Sequence, residues 1–220
     1  MINRHPDSDL LVEYVSGSLS VAPCISVTTH LQYCKQCSDS VESLGEIGGE
    51  LLTTVEAVPV SDELFDRVIA SLGSLVEEEP SDEPQRQCSD TISAELPEFV
   101  QRLLPDGELD WRRLSPSLKV APISVGEEVY ELALHRIDAG GEAPEHDHLG
   151  KEITVVLTGS FSDEDGVYQP GDFLVREAGD LHRPFAARNQ VCICLSVLEA
   201  PIRLTGIKRV LNPFLSFTPS

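Results

Sequence analysis

Two groups of potential metal ligands constrain this chain more than any other feature of its sequence. The first group contains His5, His30, Cys34 and Cys37. The second group lies far along the chain and contains His146, His148, Glu152 and His182. Together they use five of the six histidines, and imidazole, thiolate and carboxylate groups are the usual protein ligands of transition metals. The sequence therefore predicts a fold built around two metal ions.

The first group has the spacing of a zinc site. Residues 29–37 contain neither proline nor glycine, which predicts one helix with His30, Cys34 and Cys37 on the same face. Imidazole and thiolate ligands together favour zinc, with a fourth ligand from elsewhere in the fold. His5 is the only other histidine before residue 135 and is the predicted fourth ligand. The alternative is a pair of core cysteines with surface histidines.

The second group has the spacing of a site on β-strands. His146 and His148 are two residues apart, so on a strand they point to the same side, which we expect to be the inside of a small barrel. Glu152 would come from the next strand and His182 from a later one. The turns and bulges of such a barrel need glycines, and they are present at positions 140, 159, 171 and 179. A β-sandwich with histidines on a polar rim is the alternative. The ligand chemistry leaves zinc, manganese, iron and nickel open.

The residue pattern predicts an α+β chain with two domains. A small helical bundle is expected over residues 1–80, an acidic linker over 81–92, and an antiparallel β-barrel with a short leading helix over 93–220. The helices are predicted at residues 9–15, 27–44, 50–57, 62–72 and 97–104. The strands are predicted at residues 118–125, 129–137, 152–157, 167–168, 173–176, 184–187 and 191–198, and the apolar tail after residue 201 is expected to add a strand or pack on the barrel.

The predicted helix at 62–72 carries an apolar stripe at helical spacing, and two explanations remain open for it. The stripe either packs against the preceding helices or forms a face that binds a partner. Its residues are Leu64, Phe65, Val68, Ile69 and Leu72.

Charge limits the classes of partner. The formal net charge is −21, which argues against direct nucleic-acid binding because phosphate contacts need lysine and arginine. Residues 1–80 hold 14 acidic and 3 basic residues, so a basic protein partner is favoured, although solubility alone also explains the acid excess. No apolar run approaches the ~20 residues that span a bilayer, and the first residues lack a signal-peptide core. We therefore expect no membrane association and a cytoplasmic protein with reduced thiols.

Several of these motifs resemble known families. The segment from Gly140 to Gly159 resembles the first cupin motif, and the segment from Gly171 to His182 resembles the second. The second motif departs from the usual pattern because Glu177 replaces a proline and Ala186 an asparagine, but neither change removes a ligand. The histidine and cysteine pattern near the start is similar to the zinc anti-sigma domain. A zinc anti-sigma domain followed by a cupin resembles the ChrR-like anti-sigma factors.

This resemblance implies a transcriptional regulator. The helical domain would bind an extracytoplasmic-function sigma factor and keep it from core RNA polymerase, with zinc fixing the helix geometry. The cupin domain would hold a second metal, sense a reactive oxygen species or a small molecule, and release the sigma factor. Cys192 and Cys194 are two residues apart on one predicted strand, so they share a face and have a candidate redox role near the metal. The alternative for them is ordinary core packing.

A metal-dependent enzyme with a helical appendage is the rival prediction. Three histidines and one glutamate in a barrel resemble the sites of cupin dioxygenases and isomerases. In that reading Arg176, Arg183 and Arg188 either reach a substrate or lie on the outside of the barrel, and the sequence assigns no general base to the cavity. No catalytic residue is predicted.

Overall fold

The computed structural model describes residues 2–74, 96–104 and 109–206, with residues 209, 212 and 217–219 of the tail. Helices occupy the first part of the chain and strands the second, as predicted. The predicted linker at 81–92 lies outside the described residues, so the domain boundaries stay a prediction. The helices are α1 Ser8–Ser16, α2 Val21–Leu31, α3 Lys35–Thr53, α4 Asp62–Ser74 and α5 Glu98–Arg102.

Local sequence signals explain where α1 begins and ends. The Asp7 carboxylate caps α1 by accepting a hydrogen bond from the Leu10 N–H at 2.8 Å. Gly17 ends it in the left-handed conformation, at φ 71°. The predicted separation between helices 27–44 and 50–57 is wrong, because α3 continues through Gly48 and Gly49 to Thr53. Each glycine costs a helix only about 1 kcal/mol relative to alanine, which an exposed helix tolerates.

The predicted continuous helix through His30, Cys34 and Cys37 is also wrong. α2 ends at Leu31, and the His30 carbonyl accepts hydrogen bonds from both the Tyr33 and the Cys34 N–H groups, at 2.9 and 3.0 Å. Cys34 is extended and caps α3, with its Sγ 3.5 Å from the Cys37 N–H. A thiol at this position satisfies an N–H that the first helical turn would leave free. The cluster therefore lies at a helix junction rather than on one helical face.

The second part of the chain is an antiparallel cupin-like β domain. Its strands form a six-stranded sheet in the order β1-β2-β3-β11-β5-β8 and two three-stranded sheets, β10-β6-β7 and β12-β4-β9. The predicted barrel is thus present as three sheets that are not joined into one closed ring. The strands are β1 Arg112–Arg113, β2 Leu118–Pro122, β3 Glu131–Ile137, β4 His146–His148, β5 Glu152–Thr158, β6 Phe161–Asp163, β7 Gly166–Tyr168, β8 Phe173–Arg176, β9 Leu181–His182, β10 Phe185–Ala186, β11 Cys192–Leu198 and β12 Ile202–Leu204.

The core lies where helix α2 meets the six-stranded sheet. All seven residues of β11 are buried, because this strand pairs with β3 on one side and β5 on the other. Ala22 and Val27 of α2 are fully buried and join the same apolar cluster as Val155 and Leu195 of the sheet. The tail adds a strand as expected, since β12 pairs with β4.

One stretch of the helical region is exposed throughout. Residues 45–72, which we call the apolar arm, cover the end of α3, the following turn and most of α4, and every residue in them is exposed. Eleven large apolar side chains belong to this arm: Ile47, Leu51, Leu52, Val55, Val58, Val60, Leu64, Phe65, Val68, Ile69 and Leu72. The stripe predicted on α4 is therefore an open face and not part of the core.

Within the described residues, no single helix is long and apolar enough to cross a bilayer. α1 and α2 reach that composition only as a pair, and the chain bends by 111° between them.

Candidate metal centres

The helical cluster brings together all four predicted ligands. His5 comes from the extended segment before α1, His30 from the last turn of α2, Cys34 from the cap of α3 and Cys37 from its first turn. The ligand atoms all lie within 4.8 Å of one another. The Nδ1 atom of His5 is 3.4 Å from the Sγ atoms of both cysteines.

Hydrogen bonding prepares His30 to bind a cation. Its Nδ1 atom is 2.7 Å from the Gly171 carbonyl oxygen, which can only accept, so Nδ1 carries the ring proton. The unprotonated Nε2 is buried and has no hydrogen-bond partner. Burial lowers the pKa of His30 and, with the neighbouring Cys34, raises the pKa of Cys37 to about 12. Buried groups of this kind are stabilised by a metal, and two thiolates with two imidazoles fit tetrahedral zinc.

The cupin cluster also gathers its four predicted ligands. The pairing of β4 with β9 sets His146 opposite His182, and their Nε2 atoms are 3.0 Å apart. The Oε2 atom of Glu152 is 3.3 Å from His148 Nδ1 and 4.0 Å from His182 Nε2. All four side chains are buried, and the ligand atoms lie within 4.8 Å of one another.

The ring protons of two histidines in this cluster point away from its centre. His146 donates through Nδ1 to the Pro144 carbonyl at 2.8 Å, and His182 Nδ1 is 3.2 Å from Asp163 Oδ2. Two unprotonated Nε2 atoms therefore face each other, while the buried Glu152 Oε2 has no hydrogen-bond partner. Burial lowers the pKa of His146 to about 4. Burial opposes the ionisation of Glu152, but the nearby histidines together lower its pKa below the usual value.

This donor set fits a divalent cation and does not select one element. The three histidines and the glutamate would hold the metal, which when bound would supply Lewis-acid or redox chemistry at the cavity.

Asp163 lies directly behind a candidate ligand, and the sequence alone does not single it out. It ends β6, its side chain is fully buried, and it accepts hydrogen bonds from Tyr168 Oη at 2.9 Å and Arg176 Nη2 at 2.6 Å. Burial raises the pKa of Asp163, but hydrogen bonds from His182, the Asp165 amide and Tyr168 lower it far more. A carboxylate behind a ligating histidine fixes the tautomer and orientation of the ring. Its position in the acidic hairpin Ser162 to Gly166 looks like an ordinary turn in the sequence.

A largely apolar cavity of about 170 Å³ adjoins the cupin cluster. The sixth histidine, His135, lines it and is 3.3 Å from Ser196 Oγ. Ser196 is 3.2 Å from Thr154 Oγ1, which donates to Glu152 Oε1 at 3.2 Å. A series of hydrogen-bonding side chains thus connects the cluster to the cavity wall.

The two cysteines with a predicted redox role share one face of β11, as expected. Their sulfur atoms are 3.8 Å apart, both side chains are buried, and Cys194 lines the cavity. The hydrogen bond with Cys192, together with burial, raises the pKa of Cys194. Cys194 is therefore held as a thiol in the absence of an oxidant.

The arginines considered for substrate binding are used elsewhere or exposed. Arg176 pairs with Asp163 and Asp165, and Arg183 pairs with Glu142. Arg188 is exposed.

Known proteins match both parts of the chain. The ChrR cupin-like domain family matches residues 101–200. Anti-sigma-E factor ChrR of Cereibacter sphaeroides is 32% identical over 214 residues, which cover 97% of this chain and 98% of that protein. The crystal structure of Rhodobacter sphaeroides SigE in complex with the anti-sigma ChrR matches with a TM-score of 0.74 and 29% identity, covering 90% of this chain and 100% of that chain. Because the similarity extends through the helical region and the cupin domain, the chain belongs to the ChrR family of anti-sigma factors.

Proposed function

We propose that this chain is an anti-sigma factor that binds an extracytoplasmic-function sigma factor through its helical domain and keeps it from core RNA polymerase. Family membership supports this function, and a relative with a similar structure was solved in complex with SigE. The proposed location is the cytoplasm, where the sigma factor works.

The apolar arm is the observation that carries the proposal. Eleven large apolar side chains lie exposed within 28 consecutive residues, including Leu52 at 74% and Phe65 at 64% exposure. Exposed apolar surface of this extent marks a site of protein interaction. An amphipathic helix such as α4 binds by laying its apolar face in a groove of the partner. The acidic surface of this region adds attraction to a basic DNA-binding protein.

The two metals have different roles in this proposal. Zinc at the helical cluster joins the segment before α1 to the α2–α3 junction and so fixes the surface that binds the sigma factor. The metal of the cupin cluster, which is zinc, manganese, iron or nickel, takes part in sensing an oxidative signal or a small molecule that enters the cavity. Cys192 and Cys194 are the proposed thiols on which an oxidant acts, since Cys194 borders the cavity.

The enzyme alternative is not favoured. The relative that matches along nearly the whole chain is a regulator, and Arg176 and Arg183, considered above for a substrate, are engaged in ion pairs.

Capture of a sigma factor tests the proposal directly. The full chain is co-expressed with extracytoplasmic-function sigma factors from its own organism, and complexes are isolated through a tag on the chain. We expect one sigma factor to co-purify and Phe65→Asp with Val68→Asp to abolish the complex. Val129→Asp, at an exposed valine of the β domain, is the control and should leave capture unchanged. Capture by the arm variant at the level of the unmodified chain would contradict the proposed surface.

A further inference from the structure

The segment that runs from Tyr168 in β7 to Arg176 in β8, which we call the β7–β8 segment, is linked to both metal clusters by hydrogen bonds. Its turn, at Gly171 and Asp172, faces the helical cluster. Its two ends bond to Asp163 of β6, which lies behind the cupin cluster. Because β7 and β8 belong to different sheets, the segment also joins two sheets of the β domain.

On the helical side, the β7–β8 segment holds His30 and the stretch of chain directly before His5. The Gly171 carbonyl accepts the hydrogen bond from His30 Nδ1. The Asp172 carboxylate accepts from the N–H groups of Asn3 and Arg4, at 2.8 and 3.1 Å, directly before His5. Asp172 is completely buried, so this carboxylate is committed to that stretch and is not a surface charge.

Further bonds fasten the same stretch to β8. The Phe173 N–H donates to the Arg4 carbonyl at 3.0 Å, and the Arg4 guanidinium lies 5.9 Å from the centre of the Tyr168 ring. The contact is close, because a side chain on Gly171 would meet Ile2 and Tyr33 atoms at 2.7 Å. Gly171 also has a φ of 91°, which favours glycine.

On the cupin side, the β7–β8 segment holds the residue that orients a ligand. Tyr168 and Arg176 both donate to Asp163, and Asp163 accepts from His182. The Asp163 carboxylate therefore has His182 on one side and the β7–β8 segment on the other.

We infer that Gly171 and Asp172 are positioning residues for the helical zinc centre, and that the β7–β8 segment, through Asp163, links the occupancy of the cupin metal site to the hold on zinc. This inference rests on the proposed function, because it names the route by which a change at the cupin would reach the sigma-binding domain. Loss of the cupin metal frees His182, removes a partner from Asp163 and loosens the β7–β8 segment. His5 and His30 are then held less firmly, and zinc leaves faster.

The first test replaces the buried carboxylate by Asp172→Asn and measures cobalt release. The full chain is loaded with Co²⁺, whose thiolate charge-transfer absorption reports only the helical cluster, since the cupin cluster has no cysteine ligand. Cobalt is then removed with EDTA. We expect release from Asp172→Asn to be about 10- to 100-fold faster, the usual effect of losing an outer-shell partner. Asp138→Asn, which alters a surface ion pair with Arg136, is the control and should release cobalt at the unmodified rate.

The second test asks whether the cupin site changes that rate. His146→Ala empties the cupin site and leaves the residues of the β7–β8 segment unchanged. It should speed cobalt release from the helical cluster several-fold. In the Asp172→Asn background the same change should add nothing, which a purely structural role of Asp172 would not produce. Glu152→Gln serves as a second way to empty the site if His146→Ala does not fold.

Hydrogen exchange supplies a readout independent of metal. The amides of Asn3 and Arg4 should exchange faster in Asp172→Asn and in His146→Ala. Unchanged cobalt release in Asp172→Asn, or equal release with the cupin site filled and emptied, would overturn the inference. Sigma capture by the zinc-loaded Asp172→Asn chain separates the two proposals. Unchanged cobalt release together with normal sigma capture rejects only the coupling between the two metal sites. Failure of the unmodified chain to capture a sigma factor rejects the proposed function.

Discussion

The helical cluster and the cupin cluster are supported by very different amounts of core. Among the helices next to the first cluster, α1 buries only Leu11 and α3 buries only Cys37, while α2 packs on the sheet. In the second cluster, Glu152 lies on β5, which pairs with the wholly buried strand β11. The first cluster therefore has to hold its domain together, whereas the second occupies a domain with an apolar cluster made only of its own residues. Histidine ligands therefore have a structural role in the helical region and are available for sensing in the cupin domain.

Removing the thiolates gives the largest expected effect on this contrast. Cys34→Ala with Cys37→Ala should unfold α1 and α3 and abolish sigma capture, because structural zinc contributes about 10–16 kcal/mol of folding free energy. The β domain should stay folded. Circular dichroism should show lost helix, while near-ultraviolet signals from the β domain persist. Sigma capture or inhibition of transcription by this double variant would show that the zinc-domain assignment is wrong.

Removing cupin ligands should have the opposite outcome. His146→Ala with His148→Ala should reduce the metal content from two ions per chain to one, while the apolar arm and sigma capture are retained. The response of sigma binding to the signal should then be lost, because the cupin site on which the signal acts is already empty. Metal analysis and a transcription assay with and without oxidant test both points. Loss of sigma capture in this variant, with the helical metal still bound, would contradict the division of roles.

Acid should lower stability mainly through the cupin cluster, because that cluster contains three buried imidazoles. Burial lowers the pKa of His146 to about 4 in the folded chain, below the 6.5 of the unfolded chain. Between these values only the unfolded chain takes up the proton, so stability present above pH 6.5 is lost as the pH falls. For His146 alone, the metal-free chain should lose about 2 kcal/mol between pH 7 and pH 5.

Urea unfolding of the metal-free chain at the two pH values measures this loss. Burial also lowers the pKa of His148, which acts in the same direction. His146→Asn removes one titrating group and is expected to flatten the pH dependence. An increase in stability on acidification would contradict the burial of neutral histidines.

The two clusters also differ in how far the sequence predicts them. Ligand chemistry and spacing grouped all eight residues, and alternation predicted that His146 and His148 share a side. The break between α2 and α3 could not be predicted, because residues 29–37 contain no helix-breaking residue and the turn is set by tertiary contacts. The outer-shell partners were equally hidden. Gly171 is 141 positions from His30 and Asp163 is 19 from His182, so only the fold brings these pairs together.

The smallest expected effect concerns Cys192 and Cys194, and it decides whether the cupin cavity is a chemical sensor or only a metal site. Serine in place of both cysteines keeps nearly the same side-chain size. It leaves two hydroxyls in a buried region, and each lowers the free energy of unfolding by about 1–3 kcal/mol if it is unpaired. Cys192→Ala with Cys194→Ala is the matched apolar variant. Both double variants should keep two metals and normal sigma capture, and both should respond less to oxidant. Because alanine and serine differ in polarity but share the absence of sulfur, a defect common to both assigns the response to the thiols. A normal oxidant response in both variants would leave the cupin metal as the sensing group and the cysteines as core residues.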